Sequence, residues 1–158
     1  MTTPTTTPMT KFEPLQLSRP LRFNHVGISV PAERLDEEGR SLIGDFYRDV
    51  FGWQVLDMMT IDRRRFVMQV HTVEQFVFVH AEDEPMSAPR LDHFGLSVAT
   101  ESELDDMLGR AKAWKLRDDR VDIIDKKTED HGVLAITAFY VRYLLPMTVE
   151  IQYWDYKR

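Results

Sequence analysis

One seven-residue pattern occurs twice in this sequence and constrains the fold more than any other feature. Asn24–Val30 reads Asn-His-Val-Gly-Ile-Ser-Val, and the same order of residue types returns in Asp92–Val98 as Asp-His-Phe-Gly-Leu-Ser-Val. Each copy alternates strictly between the two sides of the chain, which predicts a half-buried β-strand. A pattern that returns at this spacing indicates two copies of one supersecondary unit.

The two faces of each repeated strand differ in chemistry. In the first copy His25, Gly27 and Ser29 share one face, because successive side chains of a strand point to opposite sides. The other face carries only branched apolar side chains, which suit packing against helices. The face with a histidine, a glycine and a small hydroxyl suits the wall of a cavity. His25 and its equivalent His93 are therefore candidate site residues.

Composition limits what kind of protein this is. The chain has 158 residues, of which 43% are hydrophobic and 29% charged, as in a single globular domain. Its net charge of −6 argues against a nucleic-acid partner. There is no cysteine, no long apolar run for a membrane span and no apolar N-terminal signal. We therefore expect a cytoplasmic protein without disulfides and without a membrane partner.

Periodicity places the remaining elements in the same order in both halves. Residues 1–20 are rich in Thr and Pro, which predicts a disordered tail. Each later segment, 21–82 and 90–156, is predicted to run strand, helix, strand, strand, strand. In the first segment the helix is expected over about residues 33–51 and the second strand over residues 53–61. The expected fold class is therefore α+β, with two β-α-β-β-β units in one domain spanning residues 21–158.

The closing strand supplies a third candidate site residue. In Val149–Trp154, Glu150 lies in the middle of an otherwise mostly apolar strand. A carboxylate there costs free energy unless it is paired or bound to a metal. An ion pair with Arg90 or Arg142 is one explanation. The other is a 2-His-1-carboxylate metal site of His25, His93 and Glu150, which suits Fe(II) and also fits Mn, Zn, Ni or Co.

These motifs resemble the vicinal oxygen chelate superfamily, which includes glyoxalase I, methylmalonyl-CoA epimerase, bleomycin- and fosfomycin-resistance proteins and extradiol dioxygenases. The resemblance rests on the repeated strand, the helix end Phe46–Trp53 and the closing Val149-Glu150-Ile151. It implies two units that curl their mixed sheets around a shared metal cavity, and often a homodimer.

The resemblance is nearest to the ligand pattern of extradiol dioxygenases, which take a His from the first strand of each unit and a Glu from the last. It implies His131 as the acid–base residue and Tyr140 as a hydrogen-bond donor to the substrate. Glyoxalase I and the epimerase use a fourth ligand on strand four. If the phenylalanines of that strand face the helices, Gln75 is the candidate and His80 lies on the wrong face.

The predicted function is a metal-dependent enzyme with iron favoured, an extradiol-type ring-cleaving dioxygenase acting on a small vicinal-diol-like molecule. The alternatives are a lyase or isomerase that works through a metal-bound enediolate, and a metal-free antibiotic-binding protein.

The run Arg63–Arg65 is predicted to be an exposed strand end, with steering of an anionic substrate as the alternative.

Overall fold

Eight strands form two four-stranded sheets in the computed structural model, which describes residues 17–157. The first unit consists of β1 (His25–Val30), α1 (Glu37–Phe51), β2 (Gln54–Val55), β3 (Arg65–Gln69) and β4 (Phe76–Ala81). The second consists of β5 (His93–Val98), α2 (Glu101–Lys115), β6 (Asp122–Asp130), β7 (Leu134–Arg142) and β8 (Thr148–Tyr156). The predicted α+β class and the repeated β-α-β-β-β order are confirmed.

The strands are connected identically in the two units. The sheet orders are β1-β4-β3-β2 and β5-β8-β7-β6. In each sheet the first strand pairs in parallel with the last, and the other pairs are antiparallel. The repeated strand is therefore an edge strand, and the unit's closing strand lies directly beside it.

Local sequence signals determine where the helices begin and end. The Asp36 side chain accepts a hydrogen bond from the Gly39 N–H at 2.8 Å and starts α1. Gly52, at φ 75°, ends it in the left-handed conformation that favours glycine. A capping box of Thr100 and Glu103 starts α2.

Two elements of the first unit differ from the prediction. The helix expected from residue 33 is preceded by a separate 3₁₀ turn, Ala32–Leu35, because Asp36 is extended and begins the helix anew. The strand expected over residues 53–61 keeps only Gln54–Val55, because the chain turns into a second 3₁₀ segment at Asp57–Met59. The predicted tail, residues 1–20, lies mostly outside the described residues.

The two units share one hydrophobic core. Phe46 of α1 packs against Tyr143 at the end of β7, with ring centroids 4.7 Å apart, and against Trp114 of α2 at 5.6 Å. The buried Tyr47 hydroxyl donates to the Tyr143 carbonyl at 3.3 Å. Each sheet turns one face to this core, so the opposite face, which we call the open face, points away from it. No helix within residues 17–157 is long and apolar enough to cross a membrane.

Candidate metal centre

A histidine and a carboxylate meet on the open face of the second sheet. β5 and β8 are in register with Gly95 opposite Glu150. His93 Nε2 lies 3.2 Å from Glu150 Oε2, and the Glu150 side chain is only 7% exposed. A Cβ atom on Gly95 would lie 3.2 Å from that oxygen, so the glycine makes room for the carboxylate. This acid is therefore buried beside a histidine, on the face predicted for the site.

Arginine pairing does not explain Glu150. Arg90 binds the Asp122 carboxylate through two nitrogens at 2.7 and 2.8 Å. Arg142 also lies nearer to Asp122, at 3.7 Å. Within residues 17–157, the ion-pair partner of Glu150 is His93. The two arginines considered as ion-pair partners of Glu150 therefore lie against Asp122 instead.

Both candidate histidines have their Nδ1 atoms engaged by an oxygen. His93 Nδ1 lies 2.7 Å from the Leu91 carbonyl oxygen, which can only accept, so this nitrogen carries the proton. His25 Nδ1 lies 2.8 Å from Asn24 Oδ1. In a neutral ring Nε2 then has a free lone pair. Metal-binding histidines characteristically show this arrangement, in which the second nitrogen donates to a carbonyl or carboxylate.

Tyr140 borders the same pair of side chains. It is the cross-strand partner of Glu150, and its ring lies edge-on to His93 with centroids 5.3 Å apart. A hydrogen bond to the Glu150 carboxylate, together with partial burial, raises the pKa of Tyr140 to about 12. The phenol therefore keeps its proton at neutral pH and can donate it in a hydrogen bond.

His25 lies on the other unit, stacked on Phe76 with ring centroids 5.0 Å apart. Among residues 17–157, no three His, Cys, Asp or Glu side chains are grouped so that they could hold one metal ion. One chain therefore brings His93, Glu150 and Tyr140 together but does not add His25. Within the described part of one chain the three predicted ligands therefore do not share a cavity, because the two open faces point away from the common core.

The repeat also shows what occupies the fourth-ligand position. Gly27 lies opposite Phe78 in the first sheet, as Gly95 lies opposite Glu150 in the second. Phe78 thus takes the place that a fourth ligand would need. The condition stated for strand four is not met, because Val77 and Val79 are buried in the core instead of the phenylalanines.

With the valines of β4 facing the core, the positions of Gln75 and His80, the two candidates for a fourth ligand, differ from those expected. His80 lies on the open face with His25, whereas Gln75 precedes β4 and is exposed. The sequence predicts the alternation of strand four, and the burial of Val77 and Val79 shows which of its faces the core covers.

His131 lies far from the other predicted site residues. It is exposed in the turn between β6 and β7, where its N–H donates to the Leu134 carbonyl. Leu134 pairs with Tyr156, six residue pairs from the Tyr140–Glu150 pair. At about 3.4 Å per residue this is roughly 20 Å, which exceeds the reach of a histidine side chain.

Solved structures with the same architecture are found at low sequence identity. A lactoylglutathione lyase from Agrobacterium tumefaciens matches with a TM-score of 0.57 at 15% identity, over 85% of this chain and 94% of that one. The chain has the vicinal oxygen chelate fold. FosX, a fosfomycin resistance protein from Listeria monocytogenes, matches this fold with a TM-score of 0.58 at 12% identity, over 87% and 92%.

A glyoxalase/bleomycin resistance protein/dioxygenase from Alicyclobacillus acidocaldarius matches with a TM-score of 0.56 at 18% identity, over 87% and 95%. No protein-family model and no curated protein sequence matches this chain. At identities this low, these structural matches establish the vicinal oxygen chelate fold alone. The reaction has to be argued from the candidate site.

Proposed function

We propose that this protein is a divalent-metal-dependent enzyme whose site is completed by a second copy of the chain. His93 and Glu150 of one copy, with His25 of the other, make a 2-His-1-carboxylate set. The observation that carries this proposal is the pairing of a buried Glu150 with a histidine whose Nε2 faces it and whose Nδ1 donates to a carbonyl.

The open faces support a site between two copies. A metal centre needs walls that exclude water, and neither open face is covered by the other within one chain. The first sheet offers His25, Phe76 and Phe78 on its open face, and the second offers His93 and Glu150. If the open face of the first sheet in one copy packs against the open face of the second sheet in another copy, the three ligands come together and are enclosed. A homodimer with two-fold symmetry would then contain two such sites.

The donor set fits a divalent metal. Two neutral imidazoles and one carboxylate suit Fe(II), Mn(II), Zn(II), Ni(II) and Co(II), and three protein ligands leave open positions. When bound, such a metal polarises a substrate that chelates it through two vicinal oxygens and lowers the pKa of a coordinated hydroxyl. In this arrangement Tyr140 donates a hydrogen bond to one substrate oxygen, and Phe76 and Phe78 exclude water from the first sheet's side.

Within this proposal, ring cleavage by an extradiol-type dioxygenase is the first candidate reaction. Phe78 at the fourth-ligand position favours a three-ligand set, which matches the dioxygenase pattern and not the four-ligand pattern of glyoxalase I. The acid–base role predicted for His131 is not part of this proposal, because the hairpin turn lies roughly 20 Å away along the strand.

The second candidate is a lyase, isomerase or group-transfer reaction at the same metal. It is favoured by the fold's likeness to structures named as a lactoylglutathione lyase and a fosfomycin resistance protein. Both candidates share the chelating substrate and differ in whether O₂ is consumed.

Mixing two inactive variants tests the two-chain site. His25→Gln and Glu150→Gln each break every site in their own homodimers. If ligands come from two copies, a mixed dimer contains one intact site, so co-expression restores about a quarter of the wild-type metal content. Metal per chain is measured by mass spectrometry after purification. No recovery above the separate variants, with wild type fully loaded, contradicts a site shared between copies.

Oxygen uptake separates the two reactions. The anaerobically prepared Fe(II) form is mixed with a panel of catechols while O₂ and ring-opened products are followed. Consumption that disappears in Glu150→Gln supports the dioxygenase. Turnover of a hemithioacetal or an epoxide by the Co(II) or Ni(II) form, without O₂ uptake by the Fe(II) form, supports the second candidate. A wild-type protein that binds no divalent metal overturns both.

A further inference from the structure

Arg65 and His80 lie side by side on the open face of the first sheet, further along the strands than His25. They are cross-strand partners of β3 and β4, in the row of residues next to that of Phe78. Successive rows on one face are two residues apart, or roughly 7 Å. The pair is therefore on the same wall as His25, roughly 13 Å further along the strands.

The side chain of Arg65 is held in place without an acidic partner. Its Nε donates to the Met59 carbonyl at 2.6 Å, which leaves the two terminal nitrogens of the guanidinium as donors. Among residues 17–157 it forms no ion pair, whereas Arg63 lies within ion-pair distance of Asp36 and Asp62. Arg64 is exposed. Of this run of three arginines, only Arg65 is half-buried in β3.

His80 forms the adjoining side of this position. Its Nδ1 lies 3.2 Å from Glu82 Oε1, and its ring packs on Phe78 with centroids 5.5 Å apart. Glu82 thereby orients the ring so that Nε2 is the nitrogen left to face a ligand. A guanidinium anchored by the main chain beside an oriented imidazole suits a planar or tetrahedral oxyanion.

We propose that Arg65, with His80 beside it, binds an anionic group of the substrate, so that the substrate class is a metal-chelating oxygen compound that also carries a carboxylate or phosphonate. This inference rests on the proposed function, because the anionic group is placed relative to a chelate at His25, His93 and Glu150. A charge-assisted contact made on one side of the chelate also orients the substrate, which a neutral diol could not achieve.

The test compares two chelators that differ only in charge. Protocatechuate and its neutral amide are titrated anaerobically into the Co(II)-loaded protein, and the visible spectrum of Co(II) reports binding of each. We expect wild type to bind the carboxylate about tenfold more tightly than the amide, after correction for their intrinsic affinities for Co(II). Arg65→Gln removes this preference. The neighbouring Arg64→Gln is the matched control and keeps it.

A second variant covers the case in which Arg65→Gln does not fold, as judged by circular dichroism. Arg65→Lys retains the charge but loses the planar fork, so the preference falls severalfold without vanishing. Equal binding of the two chelators by wild type, or an unchanged preference in the Arg65 variants, overturns the anionic subsite alone. If neither chelator changes the Co(II) spectrum, the proposed metal site is wrong and the subsite falls with it.

Discussion

Glycine at position 95 leaves room for the neighbouring Glu150 carboxylate. A Cβ atom there would approach Glu150 Oε2 to 3.2 Å, a contact tighter than most side chains make. Since Gly95 and Glu150 are direct partners across β5 and β8, an added methyl group requires the carboxylate beside His93 to shift by a few tenths of an ångström. The residue therefore shapes the site without offering any chemical group of its own.

Gly95→Ala is predicted to weaken metal binding about 10- to 100-fold, because groups that position a ligand usually contribute that much. Gly27→Ala is the matched control, since it changes the equivalent glycine of the first unit, where a Cβ meets nothing within 4 Å. Both variants are titrated with Co(II) and compared with wild type. Equal losses in the two variants would show that the effect comes from strand stability and not from Glu150.

At the scale of elements, Tyr143 connects three parts of the chain. It is fully buried at the end of β7, and its hydroxyl donates to Asp118 Oδ2 at 2.7 Å in the connection between α2 and β6. Its carbonyl accepts from Tyr47 of α1. Arg120 also binds Asp118, so hydrogen bonds from Arg120 and Tyr143 hold the pKa of that carboxyl far below its usual range.

Asp118→Asn is predicted to lower the free energy of unfolding by about 1–3 kcal/mol at neutral pH, as expected for a hydrogen bond to a charged group. A carboxyl whose pKa is depressed in the folded state contributes its stability above its unfolded pKa of about 3.9. The contribution is lost as the pH falls below that value, so the difference between wild type and variant shrinks in acid.

Urea unfolding at a series of pH values measures this difference. Asp119→Asn is the matched control, because the neighbouring aspartate is exposed and takes no part in the Tyr143 network. A gap between wild type and Asp118→Asn that stays constant down to strongly acidic pH would contradict the assignment of the effect to the ionised carboxylate.

At the scale of the whole molecule, the two units are joined through their buried aromatic side chains. Phe46 of the first unit touches Trp114 and Tyr143 of the second, and one continuous cluster contains buried residues of both. Neither unit keeps a complete core without the other. Coupling of this kind makes small domains unfold in one step.

The metal-free protein is therefore predicted to unfold in a single cooperative transition. The unit-specific probes are variants that keep only Trp53 in the first unit or only Trp114 in the second, with the remaining tryptophans replaced by Phe. Their fluorescence midpoints in urea should coincide with each other and with the loss of circular dichroism. Two separated midpoints would show that the units unfold independently in spite of their common core.

Sequence alone predicted the repeated unit, the order of its elements and the three candidate ligands, because these depend on local chemistry. Alternation places His25 and His93 on one face of each strand, and caps such as Thr100 and Gly52 act within a few residues. Register follows from pairing between distant strands, so the orientation of β4, with Phe78 in the fourth-ligand position, was decided only by the tertiary structure.

The relative placement of the two units was also beyond the sequence. Repeat symmetry relates His25 to His93 but does not state whether the two open faces meet within one chain. That depends on how helices and sheets fill a single core, and here the packing of Phe46 and Trp114 turns both open faces outward. Nearest-neighbour patterns carry no information about such long-range packing. For this physical reason one chain brings His93 and Glu150 together without His25, the third predicted ligand.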